Sequence, residues 1–98
     1  MEIPCTVMPA QRKFELGQLV ITAAALDSIP IEEVTESVRR HSQGDWGELD
    51  DHDKEVNETA LIEDTRLFSA YRTTNGIRFY VITEYDRSVT TVLLPEDY

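Results

Sequence analysis

The sequence predicts an α+β fold, two helices followed by a three-stranded antiparallel meander, with a fourth short strand as a candidate near residues 19–21. Three observations carry this. Residues 66–72, 77–84 and 89–94 are runs rich in Val, Ile, Thr, Tyr and Phe, the side chains that suit a pleated, half-buried surface. Between the first two runs stands Thr74-Asn75-Gly76, and Asn-Gly tolerates the positive φ of a tight hairpin. Upstream, two segments carry helix start signals and no strand alternation.

In chain order, residues 1–13 hold Pro4 and Pro9 and no clear period, and are expected to form a flexible N-terminal arm. The single domain is then 14–98. Leu19-Val20-Ile21 is the fourth-strand candidate, and Thr22 is placed to cap a brief helical turn over 23–26. Pro30 suits the first turn of a helix, where its missing N–H costs nothing. Glu32, Glu33 and Glu36 come early and Arg39 and Arg40 late, the order that the helix dipole favours. Ile31, Val34 and Val38 then form a core-facing stripe, and Gln43-Gly44 ends the helix.

Trp46-Gly47 makes a turn, and Asp50 or Asp51 is the expected N-cap of a second helix reaching about residue 62. Its apolar face is narrow: Val56, Ala60 and Leu61, with Leu49 just before the cap. Tyr85-Asp86-Arg87-Ser88 forms the second turn of the meander, and Pro95 stops the ladder. Leu67, Ser69, Tyr71, Ile77, Phe79, Val81, Val89, Thr91 and Leu93 are expected on one sheet face. Phe68, Ala70, Tyr80, Ile82, Val92 and Leu94 are expected on the other. Both faces are apolar, and two short helices hardly cover both, so a homodimer or a partner-binding face is expected.

Composition narrows the function classes. The 98 residues suit one modest core, with 41% hydrophobic and 29% charged residues. No apolar run reaches the length of a membrane span, and the N-terminal residues lack the apolar core of a secretory signal. A single cysteine, Cys5, fits a reducing cytoplasm. Net charge is −10, and residues 45–64 hold nine carboxylates against one lysine, Lys54. Such a block repels nucleic acid and anionic membranes and attracts a basic partner or a cation. The arginines are scattered along the sequence, so direct nucleic-acid binding is not expected.

Cofactor and metal motifs fail on spacing. His41 and His52 are the only histidines and neither belongs to a zinc signature. Asp51, Asp53 and Glu55 alternate as in a calcium loop, yet the sixth and twelfth positions hold Val56 and Ile62 instead of glycine and a carboxylate. No cofactor or metal is expected.

Two readings remain. In the first, the chain is a non-enzymatic interaction protein that presents Asp45, Trp46, Asp50, Asp51, Asp53, Glu55 and Glu58 to a basic surface. In the second it is a small toxin-like ribonuclease, with His41 as acid–base group, Glu84 or Asp86 as its partner and Arg87 as phosphate clamp. The corner from His41 to Gly47 serves either reading, as scaffold or as the rim of a shallow pocket.

From His41 onward the chain also resembles a family of small proteins carried by plasmids and other bacterial mobile elements. The shared motifs are the His41-Ser42-Gln43-Gly44-Asp45-Trp46-Gly47 corner, Asn57 on its helix, Ile82-Thr83-Glu84-Tyr85-Asp86-Arg87-Ser88, Thr90-Thr91 and Leu94-Pro95. The resemblance implies a mobile-element setting, where proteins frequently blunt host defence or help to maintain the element. On that analogy the basic partner is a nucleic-acid-handling protein such as a defence nuclease or a CRISPR complex.

Overall fold

The computed structural model describes residues 12–98. Four strands form one sheet: β1 (Gln18–Ile21), β2 (Leu67–Arg72), β3 (Arg78–Thr83) and β4 (Val89–Leu93). Three helices accompany them, α1 (Ala23–Ser28), α2 (Ile31–Ser42) and α3 (Asp51–Glu63), and a 3-10 turn follows at Pro95–Asp97. The predicted α+β class and meander hold. The brief turn after Thr22 is a helix of its own, capped as expected by the Thr22 hydroxyl, which accepts the Ala25 N–H at 3.2 Å.

The strand order is β1-β4-β3-β2, with the meander antiparallel and β1 added parallel to β4. The fourth strand therefore exists and makes the sheet mixed. Of the predicted arm 1–13, only Arg12 and Lys13 are described, and Cys5 lies outside the described residues. The Lys13 N–H donates to the Ser42 carbonyl at 2.7 Å, which ties this point of the chain to the end of α2.

The two sheet faces differ from expectation in β4. The Glu84 N–H donates to the Val89 carbonyl, so the turn 85–88 pairs Glu84 with Val89, and Thr83 with Thr90. Thr90, Val92 and Leu94 thereby join Phe79, Val81 and Thr83 on the helix-covered face, and Val89, Thr91 and Leu93 move to the other. A shift of one residue reverses every side chain.

The helix-covered face meets α1 and α2 in a core of Ala25, Ile29, Val34, Val38, Tyr71, Phe79, Val81, Val92 and Leu94. On α2 the stripe is Val34, Ser37, Val38 and His41, whereas Ile31 is 55% exposed because the first turn overhangs the core. A second cluster of Trp46, Ala60 and Leu67, joined by Phe14, Leu49 and Leu61, fixes α3 beside β2. On the opposite sheet face the Tyr98 ring folds back against Phe68 and Tyr80, with ring centroids 5.8 and 5.9 Å away.

Candidate functional site

His41 stands on the core stripe of α2, three residues after Val38 and seven after Val34, so the helix carries it inward. No part of it is exposed, and its ring is wedged between Phe14 and Trp46. Nδ1 lies 2.6 Å from Ser69 Oγ and Nε2 2.9 Å from Thr83 Oγ1. Thr83 Oγ1 in turn lies 2.7 Å from Thr90 Oγ1, and Thr90 donates to the Leu16 carbonyl at 2.7 Å.

One proton arrangement satisfies this chain. The Thr90 hydroxyl hydrogen is committed to a carbonyl, so Thr83 donates to Thr90 and accepts from Nε2–H. Nδ1 is then the acceptor, and Ser69 donates to it. His41 is a neutral imidazole joining α2 to three strands, and burial, aided by the charge of Arg87, pulls its pKa down to about 3.

Arg87 adopts a left-handed conformation, φ 61°, and sends its guanidinium under the end of α3. It donates to the carbonyls of Ala60 at 3.0 Å and Thr65 at 2.7 Å, and to those of Glu84 and Tyr85 in its own turn. Cations suit the C-terminal end of a helix, where carbonyls lack partners. The Phe14 ring lies against both His41 and Arg87, with the guanidinium carbon 5.8 Å from its centroid. Asp86 accepts the Ser88 N–H and hydroxyl, and the latter bond above all holds its carboxyl below the usual range. Glu84 is half-buried at the strand end.

Acid–base chemistry requires a titrating group that a substrate can reach. Here the imidazole is sealed with both nitrogens bonded, and the guanidinium is spent on main-chain carbonyls. Both act as braces.

The corner is likewise a brace. Asp45 pairs with Arg40 at 2.8 Å, a bond that lowers its pKa, and its carbonyl accepts the Tyr71 hydroxyl at 2.5 Å. Trp46 is buried, and its indole N–H donates to Glu58 at 2.9 Å. Gly47 bridges to Ala70 of β2 with φ +76°, and a Cβ there would stand 2.0 Å from the Ala70 carbonyl oxygen. Asn57, facing inward on α3, both donates to and accepts from the Phe68 main chain, at 2.7 and 3.1 Å.

The acidic residues divide accordingly. Asp50 is the N-cap of α3, accepting the Asp53 N–H at 2.8 Å. Asp45, Asp50 and Glu58 are thus engaged within the fold, whereas Asp51, Asp53 and Glu55 face water with no partner among the described side chains. Val56, expected in the core, is 51% exposed, and Ile62 is 83% exposed. The inward side of α3 is instead Asn57, Ala60 and Leu61, because Asn57 takes the position that contacts the β2 edge.

His52, Glu55, Val56, Thr59 and Glu63 share the outward side of α3. With Thr65 they line an open groove of about 370 Å³. The sequence signalled the carboxylates here but not the apolar residues among them. Ser69 was expected on a sheet face and Thr83 and Thr90 stand in the shared motifs, but nothing in the sequence signalled their bonding to His41, since short hydroxyl side chains are ordinary strand residues.

Among the described residues no group of three or more His, Cys, Asp or Glu side chains is placed to hold a metal ion. No helix among them is long and apolar enough to cross a membrane. No protein-family model, curated protein or solved structure matches the chain.

Proposed function

We propose that the protein is a small acidic interaction module of a bacterial mobile element, which docks the outward side of α3 on a basic surface of a nucleic-acid-handling host-defence protein and inhibits it. The observation that carries this is the composition of that surface. Val56 stands exposed in an open groove with Glu55 and Glu63, and Ile62 stands exposed at the border of the same outward side, next to Glu63. An apolar anchor within a charged rim is the make-up of a recognition helix. The carboxylates would take positions that phosphates otherwise occupy and would steer the encounter, while Val56 and Ile62 would supply the water-excluding contact. The setting and the class of partner rest on the family resemblance.

The test uses the immobilised protein and a bacterial lysate, at low and at high salt, with bound proteins identified by mass spectrometry. Nucleic-acid-handling proteins with basic surfaces should be held at low salt and released as salt rises. They should be lost with the Asp51→Lys/Glu55→Lys/Glu63→Lys variant and with Ile62→Asp. Capture indifferent to salt and to these substitutions would overturn the proposal.

A further inference from the structure

The exposed large apolar residues at the far edge of the sheet from α3 are Leu19 and Val20 of β1 and Leu26 of α1, at 47, 39 and 58% exposure. Gln18 and Thr22 donate to the Ser88 and Val92 carbonyls on the β4 side. Alternation along a strand then turns the N–H and C=O of Leu19 and Ile21 away from β4. No group among the described residues pairs with them.

The strand's own residues also lack the charges and prolines that usually protect an edge. Residues 16–26 contain no charge and no proline, in a chain where 29% of residues are charged. The opposite edge is closed. The Gly47 segment bonds Ala70 of β2 from both sides, and the Asn57 amide occupies the Phe68 main chain.

We propose that β1 is the contact strand of a homodimer, in which two copies pair β1 with β1 antiparallel about a two-fold axis at Val20. In this register Leu19 faces Ile21 of the second copy, and the outward groups exchange roughly four main-chain hydrogen bonds. Val20 meets its own counterpart across the axis in the position where side chains approach most closely.

Charge selects a second copy for this place. Two chains of net charge −10 repel through α3. Joined through β1, their α3 helices lie at opposite ends of a continuous double sheet. Seven strand spacings of about 4.8 Å part the outer strands by about 34 Å, several times the ~8 Å screening length of physiological salt. The strand's own residues carry no charge, so like meets like there without that repulsion, and the Asp97 carboxylate at the strand's end is already bonded to the Thr22 hydroxyl and the Leu94 N–H. The dimer does not depend on the proposed role of α3, which it would display twice.

Sedimentation velocity and light scattering on the full 98-residue chain should show a species of twice the chain mass. Val20→Lys sets two ammonium groups face to face and should weaken association at least tenfold. Leu19→Pro removes an outward N–H while sparing the bonds to β4, and should do the same. Both variants should keep the far-UV circular dichroism of the parent. Val20→Cys in a Cys5→Ser background should form a disulfide-linked dimer on mild oxidation, because the directly opposed Cα atoms lie about 4.5 Å apart. A chain that stays monomeric at every concentration, or a dimer that both edge variants leave intact, overturns the proposal. Dimerisation that appears only after removal of residues 1–11 also overturns it, by showing that the chain's own N-terminal residues cover β1.

Discussion

Along β2 the outward main-chain groups at Phe68 and Ala70 are bonded by Asn57 and by the segment around Gly47, whereas along β1 the corresponding groups of Leu19 and Ile21 meet no described partner. The same contrast runs through the side chains. Beside β2 stand His41 and Trp46, each with its ring nitrogens bonded within the fold. Beside β1 stand Leu19, Val20 and Leu26, half exposed and uncharged. One edge is finished internally, and the other has no partner among the described residues. A substitution at the finished edge should therefore cost stability, while one at the open edge or on the outward side of α3 should change binding alone.

The largest expected effect is at Gly47. In Gly47→Ala the new Cβ would meet the Ala70 carbonyl at 2.0 Å and the Tyr71 ring at 2.8 Å, at a φ of +76°. Strain plus the lost bridge should cost about 3 kcal/mol or more. In a thermal melt that is a fall of more than about 12 °C.

Asn57→Ala comes next. It leaves a part-buried N–H and C=O of Phe68 without partners, which should cost about 2–3 kcal/mol by urea denaturation. A smaller loss would mean that water replaces the amide and that the edge is less closed than its hydrogen bonds indicate.

Acid should reach the finished side through His41. Its folded pKa is pulled to about 3 from an ordinary 6.5, so the unfolded chain binds the proton first. Stability from the neutral ring is complete above pH 6.5 and declines as pH falls below it, until the folded pKa is passed. The slope approaches about 1.4 kcal/mol per pH unit, or about 2 kcal/mol between pH 6.5 and 5. Urea titrations over that window should show it, and His41→Leu should abolish it. The loss attached to Asp45 has the same sign but belongs to lower pH, since its depressed carboxyl protonates only in stronger acid.

The smallest effects should fall on the open side. Val20→Lys and Glu55→Lys should each leave chain stability within about 0.5 kcal/mol, measured below the association range. A loss above about 1 kcal/mol in either would place that residue in the structural half of the comparison.

Much of the architecture was legible because it is local. Asn75-Gly76 marked the first hairpin, Asp50 or Asp51 the start of α3, and the order of Glu and Arg along α2 its direction. The acidic display was legible too, since charge on a thin-striped helix must face water. The positions that misled were those with two plausible orientations. Val56 was expected inward from its apolarity, but the inward position went to Asn57, whose amide could finish the β2 edge. Thr90 and Thr91 differ only in pleat, and the single bond from the Glu84 N–H to the Val89 carbonyl decided which one reached the His41 chain.

The sequence by itself determined the elements and the sign of the surface, because turns, caps and net charge act within a few residues or not at all. Tertiary structure alone decided that β1 lies parallel beside β4, a pairing of residues 18–21 with 89–92 that no local preference encodes. It also decided that His41 is a buried neutral brace. A ring nitrogen becomes an internal acceptor only when Ser69 and Thr83, brought from distant strands, arrive to complete it.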